Sequence, residues 1–194
     1  MPVAKAERSR EFLARIRRSL GEKRVMHSVF VAEYFSSFAE RAGLDHDEAV
    51  AAGLLHDLAR GMEKEELLAE ARARRIPMGE AQLAKPLLLH GPVAAEICRE
   101  EFCISDEVHE AIYWHTTGRP GMGRLALGLC VADFSEPSRD YPEAAEARDI
   151  LRKSGFGPAV LYVFEKKVEF GRAKEVTDPN TAVTLFWLRE HPPA

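Results

Sequence analysis

Residues 45–61 read DHDEAVAAGLLHDLARG, and this stretch decides the fold. Asp45 is placed to accept the free N–H groups of a first helical turn, and Glu48, three residues on, completes a capping-box-like pattern. The helix it opens includes Ala49 to Leu58, and Gly61 ends it. Ala49, Ala52, His56 and Ala59 fall on one face by the i, i+3, i+4 rule. Small residues on that face let a second helix approach closely. His56 and Asp57 follow directly on Gly53-Leu54-Leu55, so two ionisable groups stand at the end of an apolar run.

Outward from this segment, the chain reads as helices separated by short breakers. Upstream, helices are expected over Ala6 to Leu20, stopped by Gly21, and over Lys23 to Arg41, ending near Gly43. Val25, Val29, Ala32, Phe35 and Ala39 keep helical spacing in the second of these. Downstream, a charged helix runs from Lys64 to Arg75 and breaks near Pro77. Gly91-Pro92 starts a helix to Phe102, and Ser105 caps another over Asp106 to His115. Residues 116–123 hold three glycines and a proline and form a loop. Further helices cover Arg124 to Phe134, Glu143 to Lys153, Pro158 to Phe170, and Asn180 to near Pro192. Strand-like alternation is nearly absent, while Ala, Leu, Glu and Arg dominate. The expected class is all-α.

The chain has 194 residues, enough for one domain with a real core. Lys and Arg total 27 against 31 Asp and Glu, and this net charge of -4 argues against a nucleic-acid-binding domain. No apolar run approaches the ~20 residues of a membrane helix, and no signal peptide is read at the start. Cys98, Cys103 and Cys130 lack CxxC spacing, which points to reduced thiols and a cytoplasmic protein. Cys98 and Cys103 are read as core filler.

Three other segments share the feature of His56-Asp57. Leu87-Leu88-Leu89 leads into His90, Ile112-Tyr113-Trp114 into His115, and 127–132 into Asp133. A buried imidazole or carboxylate is costly unless it is paired, hydrogen-bonded or bound to metal. Adding His27, on its own helix, gives four imidazoles and two carboxylates. Such nitrogen and oxygen donors suit iron, manganese, nickel or zinc. Six side chains exceed what one catalytic metal requires, so convergence of all six would mean two divalent ions sharing a carboxylate. His46, His109 and His191 have polar neighbourhoods and are read as ordinary helix-end residues.

Taken together, these residues resemble the HD-domain metal-dependent phosphohydrolases, marked by a His, a His-Asp pair and a distant Asp. The matching pieces are Arg24-Val25-Met26-His27-Ser28, Ala52-Gly53-Leu54-Leu55-His56-Asp57, Leu89-His90-Gly91-Pro92, His115-Thr116-Thr117-Gly118, and Ala132-Asp133-Phe134-Ser135-Glu136-Pro137-Ser138-Arg139. They look closest to the YqeK family of symmetrical diadenosine tetraphosphate hydrolases. The resemblance covers roughly residues 22–140, and Arg60 stands where a lysine is expected. It implies a single compact HD-domain helical bundle with a C-terminal helical extension. Residues 22–140 would be the core, with 1–21 and 141–194 as flanking helices of the same domain.

The resemblance further implies symmetrical cleavage of diadenosine tetraphosphate to two ADP. His27, His56, Asp57 and Asp133 would hold one metal, and Asp57, His90 and His115 the second, with iron the family's metal. Arg24, Arg60 and Arg139 are candidate phosphate contacts, Arg24 and Arg139 beside the chemistry at Asp57. Thr117 and the Gly118 N–H are candidate donors to the nucleotide, and Glu136 a supporting acid. The expected partner is a nucleotide substrate, with neither nucleic acid nor membrane, and a second copy of the chain is a candidate partner in a homodimer. Other readings are an HD phosphohydrolase for other nucleotides, a non-hydrolytic di-iron protein of the hemerythrin kind, and a non-catalytic HD module.

Overall fold

The computed structural model describes residues 2–173 and 178–193, with side chains from residue 7 onward. The described residues form helices and no strand, so the all-α expectation holds. Helices α1 (Pro2–Ser19), α2 (Glu22–Ala39) and α3 (His46–Leu55) open the chain. The Asp45 side chain accepts from the Asp47 and Glu48 N–H groups, as its position predicts. On α2 the buried residues Val25, Ser28, Val31, Ala32, Phe35, Phe38 and Ala39 keep the spacing of one helical face. That face meets α3, α8 (Arg124–Ser135) and α1.

The α2–α3 contact is unusually close. A Cβ at Gly53 would lie 2.5 Å from the Ala32 Cα, so only glycine fits there. This contact brings the end of α3, and with it His56, beside His27 on α2.

Helices α4 (Lys64–Ala73) and α5 (Glu80–Ala84) and a 3₁₀ turn over Pro86–Leu89 carry the chain to α6 (His90–Phe102). The short α5 and the 3₁₀ turn have no counterpart in the sequence reading, being too short for a periodic signal. Next, α7 (Asp106–Trp114) packs against α6, and the Ser105 side chain caps it by accepting from Val108 N–H. Helix α8 is buried along nearly its whole length, from Leu125 to Ser135. It is the central rod of the domain, covered by α2, α3 and α7 on one side and by α9 (Pro142–Ser154) and α10 (Phe156–Ala173) on the other. Last, α11 (Pro179–Glu190) packs on α10.

Cys98 and Cys130 are buried, but Cys103 is exposed, correcting its reading as core filler. It ends α6 in a left-handed conformation (φ 48°), where its side chain is turned out of the helix packing. None of the three forms a disulfide.

Candidate active site

The six candidate ligands come from five segments. His27 lies in the second turn of α2 and Asp133 near the end of α8. His56 and His115 are the C-cap residues of α3 and α7, and His90 is the first residue of α6. The helical reading of His56-Asp57 needs adjustment, because α3 ends at Leu55. Single-turn bonds continue the chain, from Leu58 N–H to Leu55 O (3.0 Å) and from Arg60 N–H to Asp57 O (2.8 Å).

Three of the histidines use one device. The Nδ1 of His56, His90 and His115 sits 2.8, 2.6 and 2.8 Å from the carbonyl oxygens of Gly53, Leu87 and Ile112, each three residues upstream. A carbonyl only accepts, so each Nδ1 carries the proton and each Nε2 keeps a lone pair. Those lone pairs converge. His90 Nε2 and His115 Nε2 are 3.0 Å apart. Asp57 Oδ1 is 3.2 Å from His90 Nε2, 3.8 Å from His56 Nε2 and 3.9 Å from His115 Nε2. Asp133 Oδ1 is 3.8 Å from His56 Nε2 and 3.1 Å from His27 Nε2. The Nε2 of His56 is fully enclosed with no hydrogen-bond partner.

Acceptors facing acceptors, around an orphaned buried nitrogen, are unfavourable unless a cation lies among them. The donor set therefore fits divalent metal. Ligand atoms in three groups lie within 4.8 Å of one another: His27, His56 and Asp57; His56, His115 and Asp133; and Asp57, His90 and His115. The orienting Nδ1 bonds to carbonyls are what a metal-binding imidazole needs to present Nε2.

The electrostatics follow from burial and charge. For His56, burial lowers the pKa below its ordinary value, against the pull of Asp57 and Asp133. His115 is lowered well below, by burial and by the neighbouring His90 and His56. For Asp57 and Asp133 burial favours the neutral acid, but the surrounding imidazoles win and hold both carboxyls below their usual range. His27 goes the other way. Burial opposes its charge, but the hydrogen bond and charge of Asp133 raise its pKa.

Arginines wall the site. An Arg24 Nη1–H donates to Asp57 Oδ2 at 3.3 Å, and an Arg139 Nη2–H to Asp133 Oδ1 at 3.0 Å. Arg139 is held by Glu136, 3.6 Å away, and by the Asp133 carbonyl. Glu136 is buried, takes the Nδ1 side of His27 at 3.2 Å and accepts from Ser138 N–H and hydroxyl. Arg60 faces the same space, and its guanidinium pKa is lowered by burial despite nearby Asp57. These groups, with Lys23, line a cavity of 760 Å³ floored by Asp57, His90, His115 and Asp133.

Two loop candidates sit differently. Gly118 has φ +74° and its N–H donates to Trp114 O at 2.8 Å, so that donor is already used. The Thr117 hydroxyl is buried and donates to Gly118 O. The preceding residue reaches the centre instead, with Thr116 Oγ1 3.1 Å from His115 Nε2 and 3.3 Å from His90 Nε2. Thr117 stood out in the sequence beside a flexible glycine, but α7 ends one residue earlier and turns Thr116 inward. Lys167 of α10 was also missed. Its Nζ donates to His115 O at 2.5 Å and Thr116 O at 3.2 Å. No local signal marks it, because packing of α10 on the core brings it there.

The HD domain family model matches residues 24–156. A symmetrical bis(5'-nucleosyl)-tetraphosphatase of Bacillus subtilis is 34% identical over 182 residues, 92% of this chain and 96% of the relative. One from Halalkalibacterium halodurans is 35% identical over 130 residues, 66% and 69% of the two chains. A crystal structure described as that of a predicted HD superfamily hydrolase involved in NAD metabolism, from Clostridium acetobutylicum, superposes with a TM-score of 0.87. It is 27% identical, over 93% of this chain and 96% of that one. The His, His-Asp and Asp marks all lie within the stretch that the family model matches, and the chain belongs to the HD-domain family.

Proposed function

We propose that this protein is a metal-dependent hydrolase of dinucleoside polyphosphates that cuts diadenosine tetraphosphate symmetrically into two ADP. The observation that carries the reading is the convergence of unprotonated imidazole nitrogens and two carboxylates beneath an arginine-walled cavity. The names of the relatives supply the substrate class.

His27, His56, Asp57 and Asp133 would hold one divalent ion, and Asp57, His90 and His115 a second, with Asp57 common to both. Iron is the metal we favour over manganese, nickel and zinc. Two such ions would supply Lewis acidity and a nucleophile from water at neutral pH.

The chain's own groups do the rest. Arg24 and Arg139 are held against Asp57 and Asp133 by charge-assisted bonds, with further N–H groups turned to the cavity. Arg60 makes no side-chain hydrogen bond among the described residues and can give its whole fork to phosphate. These three cations bind and orient the phosphate chain, and they oppose the charge that builds on oxygen as the bridge breaks. Glu136 and the Gly53, Leu87 and Ile112 carbonyls keep the imidazoles in one tautomer.

The catalytic core in this reading is residues 22–140, since the candidate ligands and arginines all lie there. Free cysteines agree with a reducing, cytoplasmic setting. No helix among the described residues is long and apolar enough to cross a membrane.

Product analysis tests the proposal. With iron or manganese added, diadenosine tetraphosphate should give ADP alone on chromatography. ATP with AMP would overturn the symmetrical cut, and no turnover with metal bound would overturn the substrate.

A further inference from the structure

A second cavity, of 410 Å³, opens beside the first and is lined by Leu88, Thr117, Phe134, Phe170, Asp178 and Thr181. Thr116, Tyr141 and Lys167 line both cavities and form the passage between them. The two are chemically unlike. The first is walled by cations and acceptors, whereas the second has three aromatic rings and one buried carboxylate.

The rings form a fixed platform. Phe134 and Phe170 lie nearly parallel, with centroids 6.1 Å apart and planes 17° apart, and Tyr141 meets Phe170 edge-on at 6.4 Å. Phe134 is buried, but Phe170 is only half-buried, so part of its ring is left to the cavity. The Tyr141 hydroxyl is anchored on the Phe134 carbonyl, which locks that ring in place. Across from them Asp178 is 4% exposed. Its Oδ1 accepts Asn180 N–H and its Oδ2 accepts a Gln82 Nε2–H, each at 2.8 Å. Each carboxylate oxygen has a second lone pair, so Asp178 can accept further N–H donors.

We propose that this second cavity seats the base of one nucleoside end of the substrate. The base stacks on Phe170, and its amino or ring N–H groups donate to Asp178. Lys167 stands at the passage, where the phosphate chain meets the nucleoside. Two of its N–H donors hold the His115 and Thr116 carbonyls, and the third is available to phosphate. The volume lies within the ~300–1,000 Å³ usual for ligand pockets. Continuity with the cationic cavity commits the occupant, because only a ligand with a flat ring joined to phosphate matches both walls. This inference rests on the nucleotide reading given above. Phe170 and Asp178 are then specificity-determining residues of that reaction.

The test measures binding, not turnover. ADP and inorganic pyrophosphate are titrated calorimetrically into the manganese-loaded full chain. Wild type should prefer ADP by about fivefold or more, since stacking on an aromatic ring is worth roughly five- to a hundredfold per base. In Phe170→Ala and Asp178→Asn that preference should shrink at least about fivefold. Asn still caps α11, and Phe170→Leu, which keeps apolar bulk but no flat face, gives the same reading if the alanine variant fails to fold. Equal affinity of wild type for both ligands, or a preference unchanged in folded variants, overturns the inference. If wild type prefers ADP but does not cleave diadenosine tetraphosphate, the hydrolysis reading fails while the base site stands.

Discussion

The Nε2 atoms of His90 and His115 face each other at 3.0 Å, while both Nδ1 atoms are committed to backbone carbonyls. Neither nitrogen can donate to the other, and the Thr116 hydroxyl has one proton for the two of them, so a cation between their lone pairs and Asp57 relieves the pair. Divalent metal should therefore stabilise the fold strongly. At a free concentration a hundred times Kd the linkage is ~2.7 kcal/mol, and for a chain of this size that raises Tm by roughly 5–10 °C. Scanning calorimetry with manganese against chelator checks this. The same Tm with manganese added to stripped protein as with chelator would sink the metal assignment.

Asp57 presents Oδ1 to three imidazoles and Oδ2 to Arg24. In the proposed assignment Asp57 belongs to both ligand sets. Asp57→Ala should lower bound metal from two per chain to one or none and reduce hydrolysis by about a thousandfold or more, the several kcal/mol that metal charge contributes. Helix content by circular dichroism should stay near wild type. Full activity in this variant would show that no carboxylate is shared.

Arg139 touches the Asp133 carboxylate, the Asp133 carbonyl and the edge of His27. A lysine there keeps the charge but loses the planar fork. Arg139→Lys should raise KM for the dinucleotide about tenfold, with metal content by elemental analysis unchanged. A variant whose KM matches wild type would remove Arg139 from phosphate binding.

The α2–α3 contact at Gly53 sets the distance between His27 and His56, whose rings meet edge-on at 5.3 Å. A methyl group there must displace the Ala32 backbone. Gly53→Ala should cost about 1–3 kcal/mol, seen as an earlier urea midpoint with unchanged slope. It should also weaken metal binding, because the two ligands part together. A variant as stable as wild type would mean that the helices slide apart freely.

Much of this was legible in the sequence because the relevant signals are local. Asp45 and Ser105 are capping residues whose bonds involve groups two or three positions away. Five of the six candidate ligands, all but His27, showed themselves as charges ending apolar runs, and burial of such charges has few solutions. What stayed hidden depends on groups distant in the chain. Lys167 reaches the site because α10 packs across α8, and Asp178 meets Phe170 through the docking of α11. Thr116 rather than Thr117 faces the histidines because α7 ends at Trp114, and a one-residue boundary is below the resolution of periodicity. The loop over residues 116–123 offered the Gly118 N–H as a donor to the nucleotide, yet that N–H closes its own turn.

The metal-free protein should lose stability in mild acid, and the sign follows from the buried rings. His56 and His115 have folded pKa values below their ordinary 6.5, so below that pH the unfolded chain binds protons that the folded chain resists. Their effect is absent above 6.5 and grows as pH falls toward the folded values. His27 acts oppositely, because its folded pKa is raised. The stability it lends is full below 6.5 and fades as pH rises through the folded value. Asp57 and Asp133 are held below their ordinary 3.8, so what they contribute is present above 3.8 and is lost only at lower pH. Between pH 7 and 5 they are ionised in both states and contribute no slope. His109 is lowered by burial as well, so three lowered imidazoles against one raised leave a net loss on acidification. Urea midpoints in chelator should therefore fall from pH 7 to pH 5, and His27→Gln, which removes the opposing group, should steepen that fall. A midpoint that rises over this interval would mean that His56 and His115 take up protons within the fold, and the shared Nδ1 device would then not hold them neutral.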